Sequence, residues 1–386
     1  MNIFLFLSIV FLLTFLLGRL IERIRVPWIF AALILGSLLA ISNPFKDITQ
    51  SETFVFLSQL GMYFLLFMIG FEVNLDKMIK SGGFIVRSTF FIILFEALFG
   101  TLLIHYAFDY SWFLSMVVAM SFATVGEAIL IPILDEFKMV NTKLGQSIIG
   151  VGALDNIIEL VMFIIVIFII GSPIHGGLSI ATIILSLLAL FGLTVVFRKF
   201  KNQAQLFRFL PIEIIFLLAL FILFFFIGIS VNARVEPIAA LLAGIAVKNF
   251  IPPKKLKNME REIKSLAYGF FAPLFFLRVG SEIDMSYVIK FPLLILAVVL
   301  VSNAAKMLAS YLVGRRELGT RQSILLGIGL SVRFSTSIII IKLLYDSGTI
   351  DVGLYSVIVA SSIIFKFVVP VLFSNLVIRW KVIKKI

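Results

Sequence analysis

The sequence predicts an all-α polytopic membrane protein with about 13 transmembrane helices, and three observations carry that prediction. The first is bulk composition: 61% of the 386 residues are hydrophobic, with a mean hydropathy of +1.15. A soluble chain of this length would have to cover its surface with apolar side chains. The second is that apolar runs of about 20 residues recur from end to end, the length that crosses a bilayer as a helix. The third is that the strict alternation of a membrane barrel strand is missing.

The spans fall at about 3–21, 27–41, 53–70, 84–107, 112–137, 143–171, 177–198, 211–230, 235–249, 263–280, 287–313, 320–345 and 352–380. Residues 1–21 have no basic lead and no small-residue cleavage site. They read as the first span and not as a removed signal peptide. The second and ninth spans are short, consistent with a tilted or partly re-entrant path. The basic stretch 250–264, with Pro252 and Pro253, reads as the longest connection and as a hinge or linker between two halves.

Loop charge sets the expected orientation. Arg19, Arg23 and Arg25, Lys77 and Lys80, Lys138 and Lys143, Arg198 to Arg208, Lys248 to Lys264, Arg315 to Arg321 and the tail lysines all occupy one set of loops. The alternate loops hold Lys46 and Arg234 and lean acidic, with Asp109, Glu282, Asp284, Asp346 and Asp351. The positive-inside rule puts the first set and the short tail 381–386 in the cytoplasm, and the N-terminus outside. The same asymmetry accounts for the net charge of +12 without any nucleic-acid partner. The expected partner is the lipid bilayer.

About thirteen spans divide as six, one and six, and an odd offset makes the two six-helix repeats inverted. The fifth span of each half carries small polar residues, glycine and a charge inside an apolar helix. These are "SFATVGEAILIP" (121–132) and "GIGLSVRFSTSI" (327–338). Such segments mark discontinuous helices, whose ends hold ions near the middle of the bilayer.

Intramembrane charge costs roughly 2.5–3.5 kcal/mol even on the lenient insertion scale, so it faces the interior, pairs, or lines a path. The candidates are Glu96, Glu127, Asp155, Glu159, Arg278, Lys306, Arg333 and Lys366. Asp155 and Glu159 lie four apart on one helix face, with Asn156 beside them. A carboxylate and an amide offer hard oxygen ligands to Na⁺ or K⁺, and the carboxylate also takes a proton. Asp155 is therefore the expected monovalent-cation ligand, with Asn156 and oxygens of Ser121 and Thr124 completing the shell. Glu159 is a second proton site, or a partner of Arg278. Lys306, in "SNAAKMLASYLVG", is expected to pair with Asp155. Glu127 and Arg333 are placed to compensate half-helix dipoles. Glu96 and Lys366 are read as packing or interface residues.

Several chemistries are excluded. The chain has no Cys, so thiolate chemistry and disulfides are out. Its histidines are His105 and His175 alone, which makes no metal centre. No phosphate-binding glycine loop or nucleophile triad is found, so neither enzyme activity nor a cofactor is expected.

The ordered segments "LGMYFLLFMIGFEVNLDKM" (60–78), "VGALDNIIEL" (151–160), "FFAPLFFLRVGSEIDMS" (270–286) and "GIGLSVRFSTSIII" (327–340) resemble the cation:proton antiporters of the sodium/hydrogen exchanger superfamily, prokaryotic branch. The resemblance implies crossed broken helices at 112–137 and 320–345. It implies a core bundle at about 84–171 and 287–380, moving against a dimerisation scaffold at about 1–70 and 177–280. Homodimers, elevator-like alternating access and a prokaryotic inner-membrane location follow from the same likeness. Asp155 matches the first residue of the family's acidic pair, Lys306 the lysine that pairs with it in electrogenic members, and Arg333 the arginine of an Arg-Gly-Glu. The sequence departs from the pattern at Asn156, where relatives carry the working acid, at Phe334-Ser335 in place of Gly-Glu, and at Arg278.

The leading expectation is exchange of Na⁺ or K⁺ for H⁺. One carboxylate exchanging one charge gives an electroneutral 1:1 cycle, and a proton released by Lys306 or Glu159 would make it electrogenic. Two further readings stay open: transport of a small anion coupled to H⁺ or Na⁺, from the basic set Arg278, Lys306 and Arg333, and a transport-inactive sensor, from Asn156.

Overall fold

In the computed structural model the described residues are 2–23, 26–72, 82–125, 127–171, 180–199, 210–251, 253–332, 335–380 and 382. Their regular elements are all helices, with no strand among the described residues. The long helices are α1 (Ile3–Glu22), α2 (Phe30–Ile41), α4 (Glu52–Glu72) after the single turn α3 (Lys46–Thr49), and α5 (Gly83–Phe108). The fifth span is two pieces, α6 (Trp112–Phe122) and α7 (Glu127–Glu136). There follow α8 (Lys143–Gly171), α9 (Ile180–Lys199), α10 (Ile212–Ser230), α11 (Glu236–Phe250), α12 (Pro253–Leu266) and α13 (Ala272–Ser281). The last set is α14 (Met285–Lys290), α15 (Pro292–Gly314), a second broken span of α16 (Thr320–Gly329) and α17 (Ser335–Asp346), and α18 (Val352–Arg379).

Among the described residues, 7 helical stretches are long and apolar enough to cross a membrane alone, and shorter apolar helices accompany them. Their outward faces are apolar: Leu217 is 64% exposed, Leu185 65% and Leu293 76%. Water would penalise such surface, and lipid does not.

One expectation needs correction. Most of the stretch 250–264, read above as a linker, is helical: it lies in α12 (Pro253–Leu266). Pro253 occupies its first position, where the missing N–H costs nothing. Met259 and Ile263 are buried at 0% and 1%, and Glu260 pairs with Lys264 at 2.9 Å one turn on. Charge density hid an amphipathic helix.

Contacts group the chain into two compact units. The first comprises Met1–Thr14, Ala32–Val73 and Phe163–Ser281. Its strongest packing is α4 against α11, and glycine makes it possible. A Cβ on Gly70 would lie 1.9 Å from Leu241 O, and one on Gly244 would lie 2.1 Å from Phe67 O. Backbones this close gain dispersion contacts, the main source of helix association where lipid competes for apolar surface. A second cluster gathers Phe6, Val10, Phe54, Leu274 and Leu277.

The second unit comprises Phe15–Ala31, Asn74–Met162 and Glu282–Ile386. It holds both broken spans. Here α15 packs on α5 and on α16, and α17 packs on α6. Outside the spans, Lys143 Nζ lies 2.7 Å from Glu317 Oε2, and the Lys143 ammonium holds that carboxyl below its usual range. In the loop before α6, burial pushes the Tyr110 phenol up to about 12, and its hydroxyl accepts the Asp351 N–H at 2.8 Å.

Candidate functional site

The site grows from the two breaks. In the first, Ala123, Thr124 and Val125 leave the helical path after Phe122, and α7 starts at Glu127. Ser and Thr offer the backbone local hydrogen bonds that compete with the helix ladder, which favours a break here. In the second, α16 stops at Gly329 and α17 starts at Ser335. Each break leaves C=O groups orphaned behind it and N–H groups orphaned ahead, with the helix dipole adding partial charge of matching sign.

Charged side chains meet both kinds of end. Asp155, on α8, is 1% exposed, and its Oδ2 accepts the Val125 N–H at 2.5 Å. A carboxylate thus faces the donor side of the first break, where negative charge is favoured. Lys306, on α15, is fully buried. Its Nζ donates to Ala123 O at 2.9 Å and to Leu330 O at 2.7 Å. Those carbonyls belong to the residues that close α6 and α16, so a single ammonium compensates the negative ends of both half-helices. Gly327 lets α16 come that near: a Cβ there would lie 2.6 Å from Met307 Cα. The Thr124 and Ser337 hydroxyls are hydrogen-bonded to each other, joining the first break to the first turn of α17.

Lys306 forms an ion pair that the sequence reading did not name. Glu96 of α5 places its Oε2 3.0 Å from Nζ. Glu96 is 2% exposed, and its Oε1 accepts the Ser302 hydroxyl. It is therefore part of the charged centre and not a packing residue. Ser302 and Lys306 are four apart on α15, a spacing that presents a hydroxyl and an ammonium to one facing carboxylate. That spacing was the available signal.

The other candidates are distributed as follows. The Ser121 hydroxyl donates to Val117 O of its own helix at 2.6 Å. Arg278, in the first unit, donates to Ser58 Oγ at 3.3 Å. Lys366 is buried with Nζ 3.7 Å above the Phe30 ring, a cation–π contact. Asn156 and Glu159 lie on α8, and Glu127 opens α7. The side chains of these three, and Arg333 entirely, lie outside the described residues. Residues that sequence reasoning did not place in the centre are Glu96, Ser302 and Ser337, together with the backbone groups of Ala123, Val125 and Leu330.

Known proteins share this arrangement of helices and about a quarter of the sequence. The chain is 27% identical over 382 residues to a probable Na⁺/H⁺ antiporter of Methanocaldococcus jannaschii, covering 97% of this chain and 95% of that one. It is 26% identical over 326 residues to a Na⁺/H⁺ antiporter of Enterococcus hirae, covering 82% of each. Among solved structures, the sodium proton antiporter MjNhaP1 of M. jannaschii superposes with a TM-score of 0.63 over 96% of this chain and 98% of that one. At 16% identity that likeness shows the fold. The sequence model of the sodium/hydrogen exchanger transmembrane family matches residues 9–379, nearly the whole length. The chain therefore belongs to the sodium/hydrogen exchanger transmembrane family.

Proposed function

We propose that this protein is a secondary active antiporter that exchanges Na⁺ or K⁺ for H⁺ across a prokaryotic cell membrane. The observation that carries the reading is Asp155: a carboxylate buried at 1% exposure, at the donor side of a helix break inside a span, accepting the Val125 N–H. Negative charge so far from water is costly to leave without a compensating cation or proton. A bound proton or a bound alkali cation neutralises it, and the two exclude each other. That competition is the minimum chemistry of exchange. Thr124, one residue from the Val125 donor, and Asn156, next to Asp155 on the helix, are the oxygen donors nearest in sequence to complete a coordination shell of hard ligands.

Transport requires the site to face each side in turn. The division of the chain into two compact units supports movement of a core bundle against a scaffold; the proposed assembly is a homodimer, and the loop charges support an N-terminus outside. Inverted repeats with broken helices near the midplane are the plan on which one bundle can rock against the other around a fixed site.

The test is proton flux in proteoliposomes under imposed Na⁺, Li⁺, K⁺ and Cl⁻ gradients, followed with a pH dye. Cation gradients should drive flux and chloride gradients should not. Asp155→Asn should abolish it, because the amide neither binds a proton nor balances a cation. Unchanged flux in Asp155→Asn would sink the assignment.

A further inference from the structure

Hydroxyls inside membrane helices commonly turn back onto their own backbone. The second unit shows the habit repeatedly. Ser121 donates to Val117 O at 2.6 Å, Ser331 to Gly327 O at 2.9 Å and Ser361 to Ile358 O at 2.8 Å. Thr124 and Ser337 depart from it. Their hydroxyls bond each other across the two broken spans, and both residues are 1% exposed. A pair of hydroxyls carries two hydrogens and four lone pairs. The mutual bond uses one of each, and among the described residues neither hydroxyl has another partner. Three lone pairs are left to offer. Position decides their use. Thr124 precedes Val125, whose N–H donates to Asp155 Oδ2 at 2.5 Å, so the pair sits one residue from the peptide that meets the carboxylate. Neutral hydroxyl oxygen is a hard ligand, suited to an alkali cation. The start of α17 works against a cation there, with about half a positive charge. The full charge of Asp155 outweighs it.

We infer that Ser337 is a ligand of the transported cation: it brings a hydroxyl from the second broken span to the ion that Asp155 and Thr124 bind at the first. This deepens the antiport reading above and rests on it. Without a cation, Thr124 and Ser337 hold each other. The hydroxyl that donates keeps both of its lone pairs, and the one that accepts keeps one. A cation takes these without breaking the bond between the two residues. Thr124 lies in the break after α6, and Ser337 in the first turn of α17. An ion held by both therefore has its full shell only where the two broken spans meet. The hydroxyl is neutral, so its loss weakens binding and leaves the charge balance of the site intact.

The experiment measures proton flux in proteoliposomes against the concentration of Li⁺, Na⁺, K⁺ and Tl⁺, supplied as nitrates, for wild type and two variants. Ser337→Ala should raise the KM for the transported alkali cation about tenfold, the scale of one contact to a charged group. Its maximal rate should stay within about twofold of wild type, the pattern of lost binding rather than lost turnover. Ser337→Cys keeps the size of the side chain and puts sulfur in place of oxygen. Soft ligands favour soft cations, so this variant should use Tl⁺ better, relative to the alkali cation, than wild type does. A residue that merely ties α17 to the first break would not move that preference. An unchanged KM in Ser337→Ala, or a loss confined to maximal rate and melting temperature, overturns the inference. If Ser337→Ala does not fold, Ser337→Cys decides, and a wild-type preference between Tl⁺ and the alkali cation overturns the inference. Wild-type protein without cation-driven flux is a different result: it defeats the antiport reading, and this inference with it.

Discussion

At the scale of single residues, the centre is held by compensation rather than by coordination. Lys306 and Glu96 are both buried and 3.0 Å apart. A buried pair contributes little net stability as a pair, but removing one partner strands the other and costs about 3–5 kcal/mol. Lys306→Ala leaves a carboxylate in an apolar setting and uncaps two helix ends. It should lower the melting temperature of the purified protein in detergent markedly. Lys306→Ala combined with Glu96→Gln removes the stranded charge and should recover part of the loss. A double variant no more stable than the single one would mean that dipole compensation, and not the ion pair, dominates. The lysine was legible in the sequence as a charge in an otherwise small and apolar helix. Its pairing with Glu96 was not. That contact depends on how α15 is rotated against α5. A linear pattern does not encode that rotation when the residues lie more than two hundred positions apart. The signal that singles out Asp155 is local: an acid in a run that otherwise reads as membrane.

At the scale of elements, the spans were readable because length and hydropathy are themselves the physical requirement. Even the breaks were readable, since Ser, Thr and Gly inside a span have few other uses. What failed was 253–266, where a membrane criterion discards any charged stretch. The helix is recoverable only from spacing: Glu260 with Lys264, and Met259 with Ile263 on the buried side. The contact of α4 with α11 shows a further element-scale dependence. Gly70 and Gly244 each lie against the opposite backbone. Gly244→Leu forces the helices apart by the width of a side chain, and the dispersion energy of the contact falls steeply with separation. The variant should be poorly expressed or melt at a clearly lower temperature. The control Gly228→Leu, at a glycine with open space around its Cβ position, should be near neutral. Equal stability of the two variants would show that close approach does not matter at this contact.

At the scale of the whole molecule, alternating access makes one demand that a single structure cannot satisfy, namely exposure of the same site to both sides. The chain has no cysteine, so an introduced thiol is the sole thiol present and can serve as a reporter without background. Ala123→Cys places it in the first break at a residue that is 1% exposed. Its role toward Lys306 is carried by the backbone carbonyl, so the substitution leaves that contact available. If the core bundle moves as proposed, this thiol is closed off in one state and reaches water on each side in the others. A membrane-impermeant maleimide should then label it slowly from either face of oriented vesicles, at rates well below that of an exposed loop cysteine. A saturating cation should change the two rates in opposite directions, because a ligand shifts the population of states only through its unequal affinity for them. Combining Ala123→Cys with Asp155→Asn should remove the cation effect while leaving two-sided labelling, since the amide removes the ligand's preference and not the motion. Labelling from one face alone, under every cation and pH condition, would mean that the breaks line a one-sided cavity, and an elevator exchange built on Asp155 would have to be abandoned.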